Sequence, residues 1–132
     1  MPLQLKARLI KKEELKPDIF KFSMQAKEIT DIAKPGQFVE IRITDTLDPF
    51  LRRPISIYNM DKENGTLEII FRIQGKGTEI LANKKQDELI DIIGPLGYGT
   101  FKFDGYNNIA ILRRRNWRIP IIWTCKRSIR KN

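Results

Sequence analysis

The chain has 132 residues, 41% of them hydrophobic, which suits one domain of ordinary size with its own core. It contains no histidine and one cysteine, so an internal disulfide and a four-cysteine zinc or iron–sulfur site within this chain are excluded. The net charge of +9 is unevenly placed: residues 1–112 carry 17 basic and 16 acidic residues, whereas residues 113–132 carry eight basic residues and no acidic one.

In chain order, the first hundred residues predict short strands separated by turns. Apolar–polar alternation, or short apolar runs between turn signals, indicates six strands, at 3–10, 19–24, 37–43, 54–58, 67–73 and 89–93. An Asn-Gly pair at 64–65 marks a hairpin between the fourth and fifth strands. One short helix is predicted before the sixth strand, with Thr78 as its N-cap. Short strands at regular spacing favour an all-β fold, a small antiparallel barrel.

One motif at the start of the fourth strand has a composition suited to ligand binding. In Arg53-Pro54-Ile55-Ser56, the arginine fork suits phosphate and the serine can donate a hydrogen bond to an acceptor nitrogen. The alternative interpretation is a loop with surface arginines and a buried serine. Spacing alone does not choose between the two.

Two glycine-containing motifs can likewise be interpreted either as ligand-binding segments or as ordinary turns. The sequence Gly75–Thr78 precedes the predicted helix, where free backbone N–H groups favour anions, although glycines there can also serve a tight turn. The sequence Gly94–Gly97 can let the backbone approach a flat ligand, or it can simply reverse the chain. Neither motif is specific by itself.

Together, the order of Pro35–Phe38, Arg53–Ser56, Gly75–Thr78 and Gly94–Gly97 resembles the FAD-binding barrel of the ferredoxin–NADP reductase superfamily. Within it, Leu-Arg-Arg-Pro-Ile-Ser-Ile at 51–57 is similar to the electron-transfer subunits of NAD-linked bacterial dihydroorotate dehydrogenases. The resemblance covers residues 1 to about 112. It implies a six-stranded antiparallel Greek-key barrel with one short helix, and a FAD-binding domain over residues 1–104.

The resemblance also implies which residues contact the cofactor FAD. In that family the arginine and serine hold the pyrophosphate and the isoalloxazine, and these roles fall on Arg53 and Ser56. The complete implied set is Arg53, Pro54, Ile55, Ser56, Ile70, Phe71, Arg72, Gly77 and Thr78. No catalytic residue and no metal ligand is expected among them.

The implied function is oxidoreductase electron transfer in pyrimidine biosynthesis. The chain would be the FAD-binding part of a subunit that passes electrons from dihydroorotate oxidation towards NAD, in a hetero-oligomer with the catalytic flavin subunit of dihydroorotate dehydrogenase. Family members also hold a [2Fe–2S] centre in a C-terminal cysteine cluster, which this chain lacks, so the isolated chain is not expected to complete the electron path. A flavin subunit of a sulfide- or ferredoxin-linked NADP oxidoreductase, which shares the barrel, is the alternative.

Residues 105–132 depart from the family pattern. A strand at 108–112 resembles the start of a nucleotide-binding domain, but where the family has Gly-Gly-Gly-Ile-Gly this chain has Arg-Arg-Arg-Asn-Trp-Arg at 113–118. The codons AGG AGG AGG AAT TGG AGA, read one nucleotide later, encode Gly-Gly-Gly-Ile-Gly. The hypothesis is therefore that 105–132 comprise a remnant of that domain followed by an out-of-frame basic tail, which truncates the chain.

A selected basic arm is the competing interpretation of the tail. Arginines around Trp117 suit phosphates and base stacking, which would make the chain a non-enzymatic basic-tail binding module. A cationic run is more often solvated than specific, so nucleic acid is not the expected partner. No apolar run approaches the ~20 residues that span a bilayer, so a membrane is not expected either, and the predicted location is cytoplasmic.

Overall fold

A computed structural model describes residues 1–98, 104–105 and 110 of the chain. The described part holds six strands and two short helices. The strands are β1 (Leu3–Lys16), β2 (Ile19–Gln25), β3 (Phe38–Ile41), β4 (Arg53–Asp61), β5 (Thr66–Arg72) and β6 (Leu89–Leu96). The helices are α1 (Lys27–Ile32) and α2 (Lys76–Ala82). No helix in this part of the chain is long and apolar enough to cross a membrane.

The six strands pair antiparallel and close into a barrel in the order β1-β2-β5-β4-β3-β6. Strands β3, β4 and β5 are neighbours in sequence and in space, and β6 returns to lie beside β3. This is the Greek-key arrangement. The predicted all-β, six-stranded antiparallel barrel is confirmed.

The barrel interior is filled by alternate residues of each strand. On β5, for example, Leu67, Ile69 and Phe71 are buried, whereas Glu68 and Ile70 between them are only half-buried. The Phe71 ring meets Phe22 of β2 edge to face, with ring centroids 5.0 Å apart. Removing such side chains from water contributes roughly 1.5–3 kcal/mol each, and this burial holds the strands in register.

Two elements differ from the sequence-based expectation because their sequences lack a clear apolar period. Helix α1 was not predicted: it has six residues, and it buries Ile29 and Thr30. The structure thus describes two helices where one was expected. Strand β1 continues to Lys16 instead of ending near residue 10, because its charged end pairs with β2, where Glu13 lies opposite Lys21 and joins it in an ion pair of 2.8 Å.

Several predicted boundaries also shift. The N-cap of α2 is Gly75, so the prediction of Thr78 as N-cap is wrong; Thr78 lies in the first turn. Strand β6 does not end before Gly94, because Leu96 still pairs with Phe38 of β3. The predicted strand at 108–112, the domain boundary near 104 and the basic tail lie outside the described residues, apart from residues 104, 105 and 110.

Candidate functional site

Three of the four motifs meet in one row on the outer side of the barrel. Phe38 of β3 pairs with Ser56 of β4 and with Leu96 of β6, and residues paired directly across strands lie on the same side of a sheet. Ser56 is exposed and Phe38 is half-buried, whereas Val39 and Ile55 beside them face the core. The row therefore presents a largely apolar strip with one exposed hydroxyl, and the interpretation of Ser56 as a buried serine is wrong.

Strand β5 extends this row to a fourth residue. Ile57 pairs with Ile69, and antiparallel register then places Ser56 beside Ile70, which is half-buried. We call Leu96, Phe38, Ser56 and Ile70 the outer row. Beyond Ile70 the strand ends at the exposed Arg72, on the same end of the barrel as the start of β4.

The Leu96–Phe38 half of the outer row is held by a contact between two motifs. The Gln37 side-chain amide donates a hydrogen bond of 2.9 Å to the Gly97 carbonyl. Gly97 has φ +97°, and a Cβ there would lie 3.3 Å from the Phe38 ring. A side chain at this position is disfavoured by the left-handed backbone and by the ring together, so glycine allows the chain to pass closely over Phe38.

Arg53 lies against the first turn of α2. A Cβ on Gly77 would be 2.8 Å from Arg53 Nε and 3.2 Å from Arg53 Cζ, so the guanidinium lies directly over the Gly77 backbone and a side chain at Gly77 would displace it. Arg53 Nη1 donates a hydrogen bond of 2.7 Å to the Leu51 carbonyl. The structure thus brings together the two motifs that the sequence assigned to phosphate binding.

The neighbouring Arg52 forms a structural ion pair between β6 and the start of β4. Its guanidinium forms a 2.8 Å ion pair with the Asp91 carboxylate of β6, and both side chains are 18% exposed. Arg52 Nη1 also donates to the Asp91 carbonyl over 3.3 Å, and the Gln4 amide donates to the same carboxylate. Arg52 therefore fastens the start of β4 to β6, while Arg53 faces Gly77.

The other predicted site residues divide by orientation. Pro54 is exposed and pairs with Glu40. Ile55 and Phe71 are buried in the core, so their side chains shape the strands, and contact with a surface ligand is left to their backbone.

The Thr78 hydroxyl is engaged within its own turn. It accepts hydrogen bonds from the Gln74 N–H at 2.9 Å and the Gly75 N–H at 3.2 Å, and it donates to the Gly75 carbonyl at 3.0 Å. These bonds close the strand-to-helix turn in front of Arg53. Thr78 could contact a ligand through its backbone. A contact through its hydroxyl would have to replace one of these hydrogen bonds.

Beside the outer row, Lys21 forms ion pairs with Glu13 and Glu68. This cluster was not predicted from the sequence. Lys21 pairs with Ile70 across β2 and β5, and its ammonium lies 2.8 Å from Glu13 and 3.7 Å from Glu68. The hydrogen bond from Lys21, followed by that from Lys11, lowers the pKa of Glu13, and the bond to Glu13 raises the pKa of Lys21. These charges are fixed by strand pairing, for which the sequence gives no local signal.

Comparison with known proteins identifies relatives of this barrel. The family model for oxidoreductase FAD-binding domains matches residues 6–103. The chain is 38% identical over 96 residues to the "Dihydroorotate dehydrogenase B (NAD(+)), electron transfer subunit" of Lysinibacillus sphaericus (strain C3-41), covering 73% of this chain and 37% of the relative. It is 40% identical over 91 residues to the protein of the same name in Bacillus cereus (strain G9842), covering 69% and 35%. The chain thus spans about a third of the length of these curated relatives.

Solved structures show the same barrel. An NADH-dependent reduced ferredoxin-NADP oxidoreductase superposes with a TM-score of 0.65 at 31% identity, over 70% of this chain and 33% of that one. The ferredoxin reductase of carbazole 1,9a-dioxygenase superposes with a TM-score of 0.67 at 21% identity, over 76% and 32%. The second match, at its lower identity, supports the fold alone.

Proposed function

The chain belongs to the family of oxidoreductase FAD-binding domains, and from this premise we propose that it is the FAD-binding part of a dihydroorotate dehydrogenase electron-transfer subunit. The observation that carries the proposal is the 38–40% identity to relatives of that name over 91–96 residues. The family resemblance inferred from the four motifs is confirmed by the same relatives. Because the chain spans only about a third of these relatives, their electron-transfer activity is part of the proposal.

The geometry of the candidate site fits FAD in two places. The outer row offers Phe38, Leu96 and Ile70 as an apolar surface for a flat ring system, with the Ser56 hydroxyl available to a ring nitrogen or oxygen. The Arg53 guanidinium beside Gly77 suits the negatively charged pyrophosphate. When bound, FAD supplies the conversion between two-electron and single-electron transfer.

Each predicted contact residue has a proposed part in that binding. Arg53 neutralises phosphate charge, Ser56 orients the ring, and Ile70 covers part of it. Gly77 and Thr78 approach through their backbone, as do Pro54, Ile55 and Phe71, and Arg72 adds a cation at the end of β5. By excluding water from one side of the ring, the outer row would also shield the reduced cofactor from solvent.

The proposed partner is the catalytic flavin subunit of dihydroorotate dehydrogenase, with electrons passing on towards NAD. Cys125 is the single cysteine of this chain, and a [2Fe–2S] centre needs about four protein ligands. This chain alone therefore cannot hold the cluster expected of the full-length family. We retain as a proposal the division into a barrel over 1–104 and a separate segment over 105–132.

Capture of the partner tests this assignment. The chain is co-expressed with the dihydroorotate-oxidising subunit of the same organism, and that subunit is captured by an affinity tag. We expect the chain and bound FAD to be retained with it. The second candidate, a subunit of a ferredoxin-linked NADP oxidoreductase, is favoured by the 31% identity to a structure of that class. Retention by the corresponding subunit of such an enzyme, and not by the dihydroorotate-oxidising one, would reverse the assignment.

Gly77→Ala is expected to weaken FAD binding without unfolding the barrel. The added methyl group would displace the end of the Arg53 side chain, since it would lie 2.8 Å from Nε. Loss of part of a charge-assisted hydrogen bond predicts a Kd raised about three- to tenfold, measured by titration of FAD fluorescence.

Gly75→Ala provides a matched control for that substitution. A Cβ at Gly75 would meet no atom within 4 Å, and its φ of 179° is extended backbone. FAD affinity in Gly75→Ala should equal that of the unmodified chain. An equal loss of affinity in both variants would show that the turn, and not the Arg53 contact, is responsible.

A further inference from the structure

An ion pair joins two segments beside the Arg53–Gly77 contact. The Lys76 ammonium of α2 binds the Asp48 carboxylate, which belongs to the loop between β3 and β4 at residues 42–52. Both side chains are exposed, 62% for Lys76 and 77% for Asp48. The pair therefore lies on the open surface, where an incoming anion can reach the ammonium group.

Hydrogen bonds within the loop position the backbone at Asp48. The hydroxyls of Thr44 and Thr46 are 2.9 Å apart, and Thr46 donates to the Asp48 carbonyl over 3.2 Å. Three residues further on, the Leu51 carbonyl accepts the hydrogen bond from Arg53. Lys76 and Arg53 thus bind the same loop, and Gly77, adjacent to Lys76 in the chain, touches the Arg53 guanidinium.

Of the two ion pairs that join the β3–β4 loop to other described parts of the chain, the one made by Lys76 is the more easily broken, so Lys76 can exchange its carboxylate partner for another anion. Arg52 is committed to Asp91 in a half-buried pair, whereas the Lys76–Asp48 pair is exposed. Water screening and side-chain entropy leave an exposed ion pair with little net stability. A phosphate oxygen offers the same kind of charge-assisted acceptor as the carboxylate, and a diphosphate carries more negative charge than Arg53 alone can compensate.

We propose that Lys76 is a further diphosphate-binding cation of the FAD site beside Arg53, and that the Asp48 carboxylate pairs with its ammonium group until the phosphate binds. On binding, Lys76 Nζ leaves Asp48 and donates to a phosphate oxygen, while the Asp48 carboxylate turns to water. The inference rests on the proposed FAD function and extends it to a residue outside the nine predicted ones. Asp48 acts as a competitor of the ligand and lowers its affinity.

Exchange of Asp48 for phosphate predicts effects of opposite sign at the two ends of the ion pair. Lys76→Gln should raise the Kd for FAD about three- to tenfold, because a cation is lost. Asp48→Asn should lower the Kd about two- to fivefold, because the competing carboxylate is removed. If the pair served only to hold the loop in place, either substitution would loosen Arg53 and both would weaken binding.

Lys27→Gln is the matched control variant. Lys27 is 58% exposed and also pairs with an aspartate, Asp31, at 3.2 Å. It lies near Gly65 in the hairpin that follows β4, at the other end of that strand from Arg53. Its substitution should leave the Kd for FAD unchanged.

The experiment is a fluorescence titration of the full chain and the three variants with FAD, and in parallel with riboflavin, which has no phosphate. Opposite shifts for FAD in Lys76→Gln and Asp48→Asn, with no shift for riboflavin, would support the inference. Weaker FAD binding in both, or no change in Lys76→Gln, would overturn it while leaving the FAD site itself in place. Absence of FAD binding by the unmodified chain would instead remove the proposed function, and this inference with it.

Discussion

Arg53→Ala is expected to weaken FAD binding by about 10- to 150-fold, because a charge-assisted hydrogen bond is worth roughly 1.5–3 kcal/mol. The structure gives this arginine a defined place, with Nη1 held by the Leu51 carbonyl at 2.7 Å and the guanidinium resting on Gly77. The Arg53 side chain therefore loses little further conformational entropy when FAD binds. The measurement is the Kd for FAD, together with thermal unfolding to show that the barrel remains folded.

Two further substitutions sharpen this test. Arg53→Lys keeps the charge and loses the planar fork, so its affinity should fall between those of the unmodified chain and Arg53→Ala. Arg52→Ala should act differently. It leaves the half-buried Asp91 carboxylate without its 2.8 Å partner, so its main effect should be a lower free energy of unfolding. Unchanged FAD affinity in Arg53→Ala would remove Arg53 from the site.

Phe71→Ala is expected to lower the free energy of unfolding by about 3–5 kcal/mol. The Phe71 side chain is buried, and its ring contacts two others, Phe22 edge to face at 5.0 Å and Phe20 stacked at 6.0 Å. The substitution removes these contacts and leaves a cavity in the barrel. Denaturant unfolding measures the change.

Phe50→Ala is the control for the same chemical change at the surface. Phe50 is 67% exposed, so its loss should change the free energy of unfolding by less than about 0.5 kcal/mol. Phe71→Leu, which keeps most of the volume, should cost less than Phe71→Ala. If Phe71→Ala instead left stability intact and abolished FAD binding, its side chain would be a ligand contact and not part of the core.

The strands could be predicted wherever one side of the sheet is apolar. Leu67, Ile69 and Phe71 alternate with more polar residues, so the period of β5 is visible in the sequence. The end of β1 gives no such signal, since residues 11–16 are almost all charged and join the sheet by pairing with β2. Helix α1 is too short for a helical period to emerge.

The site could be predicted as a set of motifs but not as an arrangement. Motif order assigned Arg53 and Gly77 to one ligand, and the structure places them in contact. The pairing of Arg52 with Asp91 joins residues 39 positions apart, and it depends on which strands are neighbours in the barrel. The same holds for Lys76 and Asp48, whose contact depends on how the β3–β4 loop returns towards α2.

The absorbance spectrum of the purified chain after incubation with FAD and removal of free cofactor tests the central claim most directly. We predict that the chain retains FAD in an equimolar amount, with the visible flavin bands present, and that Arg53→Ala retains much less under the same conditions. A folded chain that emerges colourless, or that retains FAD equally well in both forms, would contradict the FAD site described here.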